Sequence, residues 1–245
     1  VHDSSNTLTG SFDVSLADGG EDGAVPATGT VTIGINAVDD APTLDTNTGA
    51  TVAEGATIGI TTGELSGSDN DTASTALVYT VTVAPVNGQL ELTSGPGVAI
   101  TSFTQDDLDN GLVVYVHDGS ETTSDSFDFT LGDATTTLAT DTFNLTVTPV
   151  NDGPQLTVTN PAVNIAEGGT QLIDNGILAG SDSDDTATGI TYTASNITNG
   201  QLEFVAAPGV AITSFTQDDI DNNLVQFVHD SSNTLTGSFD VSLAD

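Results

Sequence analysis

Twelve residues, PGVAITSFTQDD at 96–107, return unchanged at 208–219, and this recurrence at a shift of 112 constrains the chain more than any other feature. A period that long exceeds a solenoid repeat and suits one ordinary domain, so the chain reads as an array of domains. Weaker matches follow in the same order. Ala53-Glu54-Gly55 returns as Ala166-Glu167-Gly168, and Asn87-Gly88-Gln89-Leu90-Glu91 as Asn199-Gly200-Gln201-Leu202-Glu203. Val38-Asp39-Asp40-Ala41-Pro42 returns as Val150-Asn151-Asp152-Gly153-Pro154. Residues 1–18 equal residues 228–245, a shift of 227 that resolves into one module of 112 and one of 115. The expected division is the C-terminal part of a module at 1–40, a complete module at 41–152 and the N-terminal part of the next at 153–245. On this reading the sequence is an excerpt of a longer array.

Within a module the hydrophobic period is two. Phe127, Phe129 and Leu131 alternate with Asp128 and Thr130, and Phe143, Leu145 and Val147 with Asn144 and Thr146, which predicts half-buried strands. Further strands are expected at 56–60, 77–83, 89–92 and 112–117, separated by Gly, Asn, Asp and Pro clusters. About seven short strands per module is the arithmetic of a β-sandwich. Thr104 to Gly111 reads as one helical turn, with Thr104 as N-cap and Gly111 at the exit.

Charge narrows the function. The 245 residues carry 35 acids and no Lys or Arg, so self-repulsion must be relieved by cations from solution. The same balance argues against nucleic acid, whose phosphates need Lys or Arg, and against anionic membranes. Zero Cys excludes disulfides and thiolate chemistry, and no apolar run reaches the 18 or so residues of a membrane span. Where acids cluster, their oxygens are hard ligands of the kind Ca²⁺ prefers. The Val-Asn/Asp-Asp-Gly/Ala-Pro joints, each closed by a proline that ends one ladder, combine such oxygens with a stiff entry to the next domain. A single Asp-x-Asp in an all-β protein is more often a solvated turn. Recurrence of several acidic segments in fixed order, without basic partners, favours metal. Asp69-Asn70-Asp71 and Asp182-Ser183-Asp184 lack the Gly and Glu spacing of an EF-hand.

The run SFTQDDLDNGLVVYVHDGSETTSDSFDF at 102–129, followed by a strand and PVNDGP, resembles the cadherin-like repeat of the chondroitin-sulfate-proteoglycan type. Such repeats are also strung in tandem in giant bacterial surface and RTX-type adhesins. The resemblance implies tandem seven-stranded Greek-key β-sandwiches arranged end to end, calcium between them, and an extracellular role in cell-surface attachment or matrix. It implies ligands at the joint beginning Val150 from Glu54 and Asp118 of one module, Asn151 and Asp152 of the linker, and Asp182 and Asp184 of the next. The matching set at the earlier joint is Asp3, Asp39, Asp40, Asp69 and Asp71. The expected partners are neighbouring modules of the same chain, with lateral self-association into fibres a further option. The expected function is a calcium-stiffened extender of a bacterial adhesin or fibre.

Two other classes compete. A module that itself binds a glycan or surface needs an exposed aromatic cluster, and three Tyr, nine Phe and no Trp at mostly alternating positions offer none. An enzyme needs a catalytic set that breaks the repeat symmetry. The three His, at positions 2, 117 and 229, all stand in Val-His-Asp, so a structural role is expected. Asn70, Asn144 and Asn196 match the glycosylation pattern, which Thr-rich repeats produce by chance.

Overall fold

The computed structural model describes residues 8–17, 19, 22–23, 25–36, 38–160 and 163–245. The chain divides into two units, Val1–Pro149 and Val150–Asp245. The first described element is a hairpin in which β1 (Thr9–Leu16) pairs antiparallel with β2 (Ala27–Gly34) in unbroken register. Apart from Gly10, every residue of the two strands is exposed.

Residues 43–148 then build one sandwich. In order they form β3 (Thr43–Asn47), β4 (Ala50–Ala53), β5 (Thr57–Gly59), β6 (Leu65–Ser68), β7 (Val78–Val83), β8 (Gly88–Leu92) and β9 (Ser102–Thr104). The one-turn helix α1 (Gln105–Asp109), β10 (Val113–His117), β11 (Ser124–Gly132) and β12 (Asp141–Thr148) follow. The sheets run β4-β12-β11-β7-β9, β5-β10-β8 and β3-β6. Ten strands stand where about seven were expected, one of the additions arising because β3 and β4 split one edge strand between two sheets: β3 pairs with β6, and β4 runs parallel to β12. Gly49 makes the switch. Its φ is +74°, and a Cβ there would lie 2.4 Å from the carbonyl oxygen of Asn144, so only glycine fits.

Alternation fills the core as the sequence predicts. Phe127, Phe129, Leu131, Phe143, Leu145 and Val147 are all at most 3% exposed, and Phe127 stacks on Phe143 at 5.1 Å. The helix forms as expected: Thr104 caps it through a reciprocal box with Asp107. Its task is to aim Gln105 inward. The Gln105 Oε1 accepts from the Tyr79 hydroxyl at 2.7 Å and the Gly67 N–H at 2.8 Å, satisfying two buried donors.

The second unit repeats this plan with β13 (Gln155–Thr159), β14 (Thr170–Leu172), β15 (Leu178–Ser181), β16 (Thr191–Thr198), β17 (Gly200–Phe204), β18 (Ala211–Ile212) and β19 (Ser214–Thr216). Helix α2 (Gln217–Asp221), β20 (Val225–His229) and β21 (Ser238–Ala244) complete it. The sheets are β14-β20-β17-β18, β19-β16-β21 and β13-β15. Gln217 repeats the role of Gln105, accepting from Tyr192 at 2.6 Å and Gly180 at 2.8 Å.

His117 and His229 are buried structural groups. The His117 Nδ1 accepts from the N–H groups of Gly55 and Gly119, each at 3.1 Å, which makes Nε2 the protonated nitrogen and Thr122 its acceptor at 3.0 Å. His229 accepts likewise from Gly168 and Ser231, so the approach of Asp230 to its Nδ1 at 3.8 Å is no ion pair. His2 lies outside the described residues.

Candidate metal centre

In each unit three segments converge: the incoming linker, the Asp-x-Asp turn that follows β6 in the first unit and β15 in the second, and the residues just past β11 in the first and β21 in the second. In the first unit these supply Asp39 and Asp40, Asp69 to Asp71, and Asp133 with Thr135 and Thr136. Asp69 caps its own turn, since its Oδ1 accepts from the N–H groups of Asp71 and Thr72, both at 2.9 Å. The Asp133 Oδ1 accepts from the N–H groups of Thr135 and Thr136, both at 2.6 Å. Linker contacts tie the segments together: the Asp40 N–H donates to the Asp71 Oδ2 at 3.3 Å, and the Thr135 hydroxyl donates to the Asp39 carboxylate.

With each Oδ1 engaged, the other oxygen is the informative one. The Oδ2 atoms of Asp69 and Asp133 are buried and have no hydrogen-bond partner. Burying a carboxylate oxygen without a partner is costly, and a bound cation is one physical means of offsetting it. The N–H of Asp71 holds the Asp69 carboxyl below its ordinary 3.8, and the Thr136 N–H does the same for Asp133. Sharing a hydrogen bond with the Asp69 carboxylate pushes Asp71 up. The donor set is therefore ionised oxygens crowded against like charge.

The second unit reproduces the arrangement. The Asp182 Oδ1 accepts from the N–H groups of Asp184 at 2.8 Å and Asp185 at 3.1 Å, while its Oδ2 is buried without a partner. Carboxylate oxygens of Asp182, Asp185 and Asp245 all lie within 4.8 Å of one another. The linker closes over them: the Asp152 N–H donates to the Asp184 Oδ2 at 2.5 Å, and the Asn151 side-chain amide to the Asp245 Oδ2 at 2.6 Å. A cleft of about 270 Å³ lined by Asp152, Gly153, Gln155, Ser181, Asp182 and Ser183 adjoins them.

The structure thus brings Asp39, Asp40, Asp69 and Asp71 together in one unit, and Asn151, Asp152, Asp182 and Asp184 in the other. It adds Asp133, Asp185 and Asp245, which sequence reasoning left out of the ligand set. The signal was available: Asp133 and Asp245 are repeat partners closing the Ser-Phe-Asp-x-x-Leu-x-Asp strands. Asp118 lies at the end of β10, where its Oδ1 accepts from the Ser120 N–H at 2.9 Å and the Ser120 side chain and N–H hold its carboxyl low. Glu54 lies between β4 and β5, with a carboxylate oxygen within 4.8 Å of one from Glu121. Asp3 lies outside the described residues.

Comparison with known proteins defines the class. A family model described as Cadherin-like matches residues 42–147 and 154–245, and the chain belongs to that family. It is 35% identical over 214 residues to human extracellular matrix organizing protein FRAS1, covering 83% of this chain and 5% of that protein. It is 33% identical over 201 residues to extracellular matrix protein 3 of Lytechinus variegatus, covering 81% and 6%. It is 35% identical over 164 residues to human chondroitin sulfate proteoglycan 4, covering 66% and 7%. The chain therefore spans only a small fraction of each relative. Among solved structures, human CDH23 EC21-23 aligns over 87% of this chain and 62% of its own at 16% identity and a TM-score of 0.46. No helix among the described residues is long and apolar enough to cross a membrane.

Proposed function

We propose that the chain is a segment of an extracellular array of cadherin-like modules in which calcium, bound where each linker meets the following module, stiffens the array as a structural extender. The observation that carries this reading is the set of partnerless buried oxygens, Asp69 Oδ2 and Asp133 Oδ2 in one module and Asp182 Oδ2, the repeat partner of Asp69, in the next. Calcium takes about 6–8 oxygens, and carboxylates on separate segments are its usual donors. In the first unit Asp69, Asp71 and Asp133 with the linker's Asp39 and Asp40 would hold it. In the second, Asp182, Asp185 and Asp245 with Asp184 and the linker's Asn151 and Asp152 would do so. A bound divalent cation supplies the positive charge that a chain without Lys or Arg lacks. The residues themselves fasten the linker to the module, which removes bending freedom at the joint. Glu54 and Asp118 are the donors the sequence nominates from a preceding module.

An extracellular setting accords with relatives named as matrix proteins. Projection from a bacterial surface rests on the resemblance of the 102–129 block alone. The role is mechanical and needs no catalytic residue. Calcium titration by calorimetry, with solution scattering in calcium and in chelator, tests the proposal. Saturable binding that Asp133→Asn and Asp182→Asn each weaken, with a longer and stiffer scattering profile in calcium, is the expected result. Profiles that chelator leaves unchanged would refute the stiffening role, and absence of binding would refute the site.

A further inference from the structure

One face of the first unit carries almost no charge. In the five-stranded sheet β4-β12-β11-β7-β9, alternation turns the core residues inward and their neighbours outward. Cross-strand pairing sets the outward side chains in rows, with Thr130, Thr80 and Ser102 in one and Ser126 beside Asn144 in another. Asp128 is the one carboxylate on this outward face among the described residues, and it accepts from the Thr142 hydroxyl at 2.7 Å. The second unit keeps the pattern. Ser242, Thr193 and Ser214 form the same row there, and Asp240 accepts from the Asn196 side-chain amide at 2.7 Å.

Threonine suits an exposed strand position by its branched side chain, which accounts for such residues one at a time. It does not account for the missing charge. The 35 acids of the chain crowd into turns and onto the short helices, as at Asp69, Asp106, Asp107, Asp118 and Asp133. Like charge is the ordinary guard against association between copies, and this face is without it. A carboxylate face only accepts hydrogen bonds and repels its own copy. A hydroxyl both donates and accepts, so a hydroxyl face is complementary to itself. Strands of these lengths, spaced about 4.8 Å apart, give the sheet face roughly 500 Å². A standard interface takes about 800 Å² from each partner, so one module pairs weakly and repetition along an array strengthens the contact.

We propose that this hydroxyl face is where a second copy of the chain docks, face to face and isologously, so that copies lie side by side. β11 is the middle strand of the sheet, so a two-fold axis through the face brings Ser126 close to its own copy. Hydroxyls of facing rows donate and accept across the contact, and the acid-rich turns stay at its periphery in solvent. Salt then acts in the opposite sense to its effect on an ion pair: by screening two polyanions from each other it strengthens the association. The contact needs no metal, so it stands or falls separately from the calcium reading.

The chain has no cysteine, so a single introduced thiol reports proximity between copies. The test makes Ser126→Cys and, as control, Ser94→Cys in the exposed turn after β8, each in the 245-residue chain, and oxidises both in chelator. Rates of disulfide-linked dimer formation are normalised to each thiol's reaction with a small disulfide reagent. Ser126→Cys is expected to dimerise at least about tenfold faster than the control. Its advantage should grow as salt rises from about 0.1 M to about 1 M, where the Debye length falls from about 10 Å to about 3 Å. Adding Thr80→Asp and Asn144→Asp, at two exposed positions of the face, should bring its rate down to the control's with circular dichroism unchanged. Equal rates from the two thiols, or an advantage that survives both added aspartates, would overturn the proposal. Equal rates together with retention of the unmodified chain on immobilised dextran would also overturn it, and would give the face to a neutral polysaccharide.

Discussion

The two units follow nearly the same sequence, but the first runs through β12 whereas the second is given only as far as β21, so setting them side by side shows what one strand contributes. In the first, β12 lies between β11 and β4, and Phe127 is 1% exposed. In the second, no described strand takes that place. Its repeat partner Phe239 is half-buried, and the Val163 to Ala166 segment, counterpart of β4, is irregular. β4 has no ladder of its own in that sheet: its backbone groups are satisfied by running parallel to β12. The ladder of β4 in this sheet therefore depends on β12, the last strand of the unit.

A second contrast shows the units adjusting residues in pairs. The Tyr115 hydroxyl donates to the Asp125 Oδ2 at 2.7 Å, and that aspartate also accepts from Val86 and Asn87. The second unit has Phe227 and Gly237 at these positions. Hydroxyl donor and carboxylate acceptor are lost together, so no buried hydroxyl is stranded, and a Cβ at residue 237 would lie 2.8 Å from the Phe227 ring.

Substitutions can break this comparison or sharpen it. Phe143→Ala should have the largest effect, lowering the stability of the first unit by about 3–5 kcal/mol and leaving the second unchanged. Two unfolding transitions in denaturant, followed by circular dichroism, would reveal it as the upper transition moving toward the lower. A drop in both transitions would contradict the independence of the units. Next, Gln105→Ala and Gln217→Ala each strand a buried Tyr hydroxyl and a Gly N–H, and each should cost its own unit about 2–3 kcal/mol. Unequal costs would show that the open unit tolerates an unsatisfied donor by admitting water.

Acid should act on both units. Asp69, Asp118, Asp133 and Glu91 in the first unit, with Glu203 and Asp230 in the second, have carboxyls held below the ordinary 3.8 of Asp and 4.5 of Glu, Glu91 chiefly by the Gln89 amide and Glu203 chiefly by the Gly209 N–H. Their stabilisation is full above those ordinary values and is lost as pH falls through the lower folded-state values. Asp71, pushed up, works the other way, since its protonated form shares a hydrogen bond with the Asp69 carboxylate. Six groups against one predict stability that falls as pH drops from about 5 through the folded-state values. Denaturation midpoints that rose over that range would reverse the assignment. The smallest effect is expected from removing the helix caps: Thr104→Ala and Thr216→Ala should each cost about 1 kcal/mol, equally in the two units.

Much of this architecture was legible because it is periodic. The alternation at Phe127 to Leu131 and Phe143 to Val147 named the core, and Thr104 named the helix start. The short edge strands β4 and β9 were not legible, since their pairing depends on a distant strand and not on local pattern. The same limit applied to the candidate centre. Acids on the linker and in the Asp-x-Asp turns declared themselves by clustering in sequence. Asp133 and Asp245 sit at strand ends and join the others only through folding, and Asp185 lies one residue past its Asp-x-Asp turn.

The aspartates that fasten to amide groups two or three residues ahead have a consequence for how such a chain comes off the ribosome. Near-identical neighbours in tandem are prone to trade segments while still nascent, because each offers the other's partners. A carboxylate whose Oδ1 is held by the N–H groups of its own turn makes that contact without any distant copy of the same turn. Residues such as Asp69, Asp133 and Asp182 therefore commit their stretch of chain early, and help keep each module's contacts at home.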